Sequence, residues 1–103
     1  MPTQNILAEI VQKVVEAAVP DKIILFGSRA KGEQANDSDY DIFVLKSGVV
    51  HKRKLAQRIY LMLDVDVPVD VIVETPEIFN ELKDNPFLIY NEIAKYGQVV
   101  YEK

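Results

Sequence analysis

The sequence predicts an α+β domain: a small mixed β-sheet in a two-layer arrangement, with helices packed mainly on one face. Two observations carry this expectation. Stretches with apolar residues every three or four positions alternate with short β-branched runs, and all four glycines fall at the boundaries between them. With 103 residues the chain has material for one core and not for two, so residues 1–103 read as one domain.

The elements follow in order. Thr3 can cap a first helix whose apolar stripe runs Ile6, Leu7, Ile10, Val11, Val14, Val15, Ala18, with Gln4, Glu9, Gln12, Lys13 and Glu16 on the wet side. Pro20-Asp21 stops it. Lys22 to Phe26 is apolar on both alternating sets, the pattern of a central strand, and Gly27 ends it. A helical turn from Ser28 to about Lys31, an irregular loop to Ser38 and a second strand from Tyr40 to Leu45 come next. Lys46-Ser47-Gly48 reads as a turn, Val50 to Leu63 as a helix with Leu55, Ile59, Met62 and Leu63 inward, and Val69 to Val73 as a third strand with Pro68 at its mouth. Thr75-Pro76 and Asn85-Pro86 each have the form of a helix start, cap followed by proline, so two short helices follow. Lys95-Tyr96-Gly97 closes the second, and Gln98 to Tyr101 adds an edge strand.

Composition narrows the chemistry. There is no cysteine and a single histidine, His51, so disulfides, thiolate sites and histidine-rich zinc centres are excluded and carboxylates are left as metal ligands. A net charge of −4 argues against a broad nucleic-acid surface. No apolar run reaches membrane-spanning length and no signal-like segment leads the chain, so a cytoplasmic protein without membrane attachment is expected.

The stretch from Lys22 to Leu45 carries the functional signal. A strand ends in Gly27-Ser28, where backbone N–H groups at the start of a turn suit an anion such as a triphosphate; a glycine and serine there also serve simply to make and cap a turn. Asp39 and Asp41 lie two apart at a strand entrance, so their carboxylates aim into one volume while Tyr40 points away. Like charges that close call for a cation, and Mg²⁺, a hard ion with oxygen ligands, is the fitting one. Asp70 interrupts an otherwise apolar strand; buried there without a partner it would cost several kcal/mol, and a shared metal supplies the partner.

Gly27-Ser28-Arg29-Ala30-Lys31-Gly32, followed by Ser38-Asp39-Tyr40-Asp41-Ile42 and a later Asp70 between valines, resembles the signature of the polymerase-β-like nucleotidyltransferases. Among these it is most similar to the minimal nucleotidyltransferases, small antitoxin partners of HEPN-type toxins. The resemblance implies that fold over nearly the whole chain. It implies two Mg²⁺ ions on Asp39 and Asp41, with Asp70 completing the site and accepting a proton, and Gly27 and Ser28 holding the β- and γ-phosphates of ATP. Arg29 or Lys31 would neutralise those phosphates, although each also fits a plain solvated surface.

Other residues have two readings. His51-Lys52-Arg53-Lys54 opens a helix where the dipole disfavours cations; it reads first as solvated surface, and otherwise as facing an acidic partner or RNA. Asp64 and Asp66 sit in an exposed linker and compete poorly with Asp70. Tyr90, Tyr96 and Tyr101 stack on an adenine or, more in keeping with their spacing, pack the edge of the core. Two functions follow from different classes: an enzyme moving AMP from ATP to a hydroxyl of a partner protein, the chain being barely longer than a catalytic core, or an antitoxin that occludes its toxin without catalysis.

Overall fold

The computed structural model describes residues 5–32 and 39–103. Thr3, Gln4 and residues 33–38 of the expected irregular loop lie outside the described residues. The elements run α1 (Ile6–Ala18), β1 (Lys22–Phe26), β2 (Tyr40–Leu45), α2 (Lys52–Met62), β3 (Val69–Glu74), α3 (Pro76–Leu82), α4 (Ile89–Tyr96) and β4 (Gln98–Glu102). The four strands form one mixed sheet in the order β3-β2-β1-β4. β1 pairs antiparallel with β2 and β4, and β2 pairs parallel with β3 across the helical crossover α2.

The strand at the centre of the sheet is the one whose residues are apolar on both faces. Ile23 and Leu25 of β1 join Ile42 and Val44 of β2 and Val71 and Val73 of β3 beneath α1 and α2, which contribute Ile10, Val14, Ala18 and Ile59, with Leu63 just past the end of α2. The alternate residues Ile24, Phe26, Phe43 and Leu45 face Ile93, with Ile72, Phe79 and Tyr90 around them, so α3 and α4 close the second face. The larger core and the longer helices lie on one face, as expected, and α3 and α4 cover the smaller core on the other. The reason lies in the central strands: with both faces of β1 and β2 apolar, one sheet face bare to water would leave Phe26, Phe43 and Leu45 exposed.

Several local expectations shift by a residue or a mechanism. α1 is capped by Asn5, whose Oδ1 accepts from the Ala8 N–H at 3.1 Å. Thr75 caps α3 as expected, accepting from the Ile78 N–H, with Pro76 in the first turn. Asn85 does not start a helix: its Oδ1 accepts from the Phe87 N–H at 2.9 Å in a tight turn, and α4 begins only after Leu88. Met62, expected inward, is 43% exposed at the end of α2. Gly97 ends α4 with φ −68°, so it needs no left-handed backbone. A Cβ there would lie 2.5 Å from Ile24 Cγ2 and from the Ile93 carbonyl oxygen, so a close approach of β1 to the helix end requires glycine.

Glu74, at the end of β3, is the one buried charged residue among those described. Its Oε2 accepts from Lys52 Nζ at 2.8 Å and from the Thr75 N–H at 2.9 Å, and its Oε1 accepts from the Tyr90 hydroxyl at 2.5 Å. One carboxylate thereby ties α2, the α3 cap and α4 to the sheet. Burial pushes its pKa up, but the hydrogen bonds from Lys52, Tyr90 and Thr75 together outweigh it, and the net shift is downward; burial and the same carboxylate push the Tyr90 phenol well above its ordinary value.

Glu74→Ala is expected to destabilise the fold by about 2–3 kcal/mol in urea titrations, because Tyr90 and Thr75 lose a buried acceptor. A folded pKa below the ordinary 4.5 means the charged carboxylate stabilises the protein above that pH, and the gain is lost as pH falls through the folded value. The gap between wild type and Glu74→Gln should therefore be full at pH 7 and narrow below pH 4.5.

Candidate active site

At the end of the sheet opposite Glu74, β1 finishes in Gly27, whose φ of +77° turns the chain out of the sheet. The Ala30 and Lys31 N–H groups donate back to the Gly27 carbonyl at 3.1 and 3.3 Å, and Gly32 N–H to Arg29, so Ser28 to Gly32 forms the expected helical turn. Strand register then assembles the site. Phe26 of β1 pairs with Asp41 of β2, and Asp41 with Asp70 of β3. Tyr40, Ile42 and Val44 belong to the core under α1 and α2, so Asp41 faces the α3–α4 side; Val69, Val71 and Val73 place Asp70 on that same side. The two carboxylates are cross-strand neighbours at the rim.

Gly27 makes room for them. A Cβ built on it would collide with Asp41 Oδ2 and lie 3.1 Å from Asp41 Cγ. Glycine is therefore needed here twice over, for its positive φ and for the carboxylate beside it. Asp41 is half-buried, whereas Asp70 and Asp39 are exposed. The exposure of Asp70 corrects the sequence expectation of a buried acid: β3 is an edge strand, and its first residues stand at the open end of the sheet. The feature that suits a cation is not burial of Asp70 but its position against Asp41.

Burial first, then the charges of Asp70 and Asp39 and a hydrogen bond with Asp70, push the Asp41 carboxyl above its ordinary 3.8. Those are the acids that act on it; Asp64 and Asp66 stay in the exposed linker and take no part. Among the described residues no three acids are gathered tightly enough to hold an ion unaided. The donor set nevertheless suits a hard divalent ion: two facing carboxylates in a glycine-lined cradle, a third within electrostatic reach, oxygen donors only, and a local excess of negative charge.

The basic residues of the turn are held to one side. The Arg29 guanidinium lies over the Tyr40 ring at 3.9 Å, next to the paired acids in sequence. Lys31 is exposed and leans on α4, its Nζ 3.6 Å from Glu92 Oε2 and 5.2 Å from the Tyr96 ring centre. Ser28 opens the turn, half-buried. Of the three tyrosines, Tyr90 packs against Phe43 and Phe79, as the core reading expected, and Tyr96 stands beside Lys31. Gln98 is a residue the sequence did not flag. Its Nε2 donates to the Ala30 carbonyl at 2.8 Å, pinning the turn from the far edge strand, and a partner 68 residues away leaves no local signature.

At pH 7 Asp41→Asn should raise the melting temperature of the metal-free protein by a few degrees. A raised folded pKa means the native state binds more protons between pH 3.8 and its own value, so stability falls through that window and the variant's advantage appears above it. Gly27→Ala should cost about 1–2 kcal/mol for its φ, and more for the collision with Asp41. In an Asp41→Ala background only the φ cost should remain, a coupling that chemical denaturation of the four proteins reads directly.

The chain's likeness to known proteins is in keeping with this geometry. A family model for the polymerase beta nucleotidyltransferase domain matches residues 8–103. A protein of Methanocaldococcus jannaschii to which protein adenylyltransferase activity is ascribed is 34% identical over 80 residues, covering 78% of this chain and 77% of its own. A crystal structure ascribed to a nucleotidyltransferase of Sulfolobus solfataricus covers 95% of this chain and 78% of its own, with TM-score 0.65 and 20% identity. A toxin–antitoxin crystal structure with AMP-PNP covers 97% of this chain and 75% of its own, with TM-score 0.60 and 24% identity. The structural matches bear on the fold. The family match spans the glycine turn, both registered acids and the strands that carry them, and the chain belongs to the polymerase β family of nucleotidyltransferases.

Proposed function

We propose that this nucleotidyltransferase moves AMP from ATP to a hydroxyl of a partner protein, and that the partner is a HEPN-type toxin neutralised by the modification. The observation that carries the reading is the Asp41–Asp70 pair in strand register beside Gly27. It is an anionic site whose one unmet need is cationic charge, next to a turn suited to phosphates. The M. jannaschii relative and the toxin–antitoxin structures support the choice of acceptor and partner.

Asp39 and Asp41, with Asp70, would hold two Mg²⁺ ions, whose charge offsets that of the triphosphate and makes the acceptor hydroxyl more acidic. The Gly27 backbone and the Ser28 hydroxyl hold the β- and γ-phosphates. Lys31 is available to them, because an exposed ion pair of 3.6 Å with Glu92 contributes at most about 1 kcal/mol and yields easily. Arg29, stacked on Tyr40, adds a fixed positive charge behind the turn. Asp70, exposed at the outer position, takes the proton of the incoming hydroxyl. The hydroxyl oxygen bonds to the α-phosphorus as the bond to the bridging oxygen breaks, and pyrophosphate leaves in line.

Incubation with Mg²⁺, α-labelled ATP and the co-expressed product of the adjacent gene tests this. Wild type should label the partner and raise its mass by one or more AMP groups, with no labelling in EDTA. Asp70→Asn should reduce the rate about 10²-fold or more while the complex still co-purifies. A partner left unmodified yet inhibited equally by both forms would refute transfer and establish neutralisation by occlusion.

A further inference from the structure

Charge on this chain is sharply segregated. Between Ile42 and Leu63 lie five Lys and Arg residues and no Asp or Glu, while the other seven cations against sixteen acids leave the remainder at −9. Four of the five are on α2, in a helix that breaks the electrostatic rules of its own fold. Its N-cap, His51, makes no side-chain cap hydrogen bond, its first turn has no acid, and Lys52, Arg53 and Lys54 crowd the positive end of the dipole. Lys52 has a structural reason to be there in Glu74. Arg53, Lys54 and Arg58 are exposed and form no ion pair among the described residues. Apolar side chains flank them on the same helix: Val50 is 80% exposed before its start and Leu61 87% exposed near its end. Three such cations between two exposed aliphatic residues weaken an isolated helix, and none of the ion pairs among the described residues makes use of them.

The geometry points to the outer face of α2 as the docking surface for the partner protein, receiving an acidic segment of it on Arg53, Lys54 and Arg58 between the apolar anchors Val50 and Leu61. This rests on the reading that the acceptor is a protein. A nucleic acid fits less well, because the rest of the chain at −9 repels a polyanion and the aliphatic flanks offer it nothing. Placement favours the acceptor too. The C-terminal end of α2 reaches the active-site end of the sheet, where the Tyr60 hydroxyl accepts from the Val71 N–H at 2.8 Å, one residue from Asp70. A protein lying along α2 is thereby led to the rim where Asp70 stands.

The test is the triple variant Arg53→Glu, Lys54→Glu, Arg58→Glu in the whole chain, leaving Lys52 with Glu74. Its melting temperature should be no lower than that of wild type, since acids suit the start of α2, and its ATP binding should equal that of wild type, which separates docking from folding and from the nucleotide site. Calorimetric affinity for the adjacent gene's product should fall about tenfold or more and, for wild type, weaken with added salt. Unchanged affinity, no measurable complex with wild type, tighter binding of a 20-nucleotide RNA than of the protein, or a self-association of the chain alone that the variant abolishes would each overturn the proposal. Transfer is read separately. A variant that binds as wild type and still labels the partner sinks the docking surface alone, whereas a wild type that binds through α2 and labels nothing sinks transfer alone.

Discussion

Two carboxylates face each other across the β2–β3 ladder, and the like charge that Asp70 presents to half-buried Asp41 is the constraint around which this end of the molecule is arranged. Parallel pairing sets Asp41 opposite Asp70, the alternation of β2 and β3 turns both to one face, and Gly27 keeps the space beside Asp41 open. The same face carries a contrast between its two ends. Four residues along β3 from Asp70, Glu74 is met by Lys52, Tyr90 and the Thr75 N–H, and its pKa falls; Asp41 is half-buried with like charges for neighbours, and its pKa rises. The fold neutralises one acid of this face internally and leaves Asp41 against Asp70 at the other end. That asymmetry suits a divalent cation.

Strand periodicity, glycine turns and the Asp-x-Asp spacing made most of this legible before any coordinates. Gly27, the paired aspartates and the third strand with its acid are local patterns, and a strand apolar on both alternating sets announced its central place. Less legible were features that depend on residues distant in sequence. Nothing near Asp70 says that β3 is an edge strand, so its carboxylate read as buried when it is exposed. Nothing near Glu74 predicts the three donors that converge on it from α2, α3 and α4. The cover that α3 and α4 give the second face was implicit in the two-sided apolar pattern of β1 and β2. Asn85-Pro86 looked like Thr75-Pro76 and became a turn, because the Asn85 side chain caps the Phe87 amide locally before a helix can begin.

The basic helix shows how structure changes the weight of a pattern. As a sequence, His51 to Lys54 reads first as solvated surface. In the fold, one of those cations is committed to Glu74, and the rest form no ion pair among the described residues and stand between exposed aliphatic residues on a helix whose far end adjoins the Asp70 rim. An acceptor protein guided by charge to that helix would bring its own binding surface, which a small catalytic sheet does not offer. Recognition and chemistry would then occupy opposite faces of β3, joined through Tyr60 and Val71.

The central claim is that burial and the facing Asp70 hold Asp41 above its ordinary pKa, which suits the site to a divalent cation. Carbon-detected NMR titration of the side-chain carboxyls, with and without Mg²⁺, measures it directly. The account predicts an Asp41 pKa clearly above 3.8 in the metal-free protein, falling when Mg²⁺ is added and falling also in Asp70→Asn. An Asp41 carboxyl that titrates near 3.8 and responds neither to Mg²⁺ nor to the loss of the Asp70 charge would contradict it.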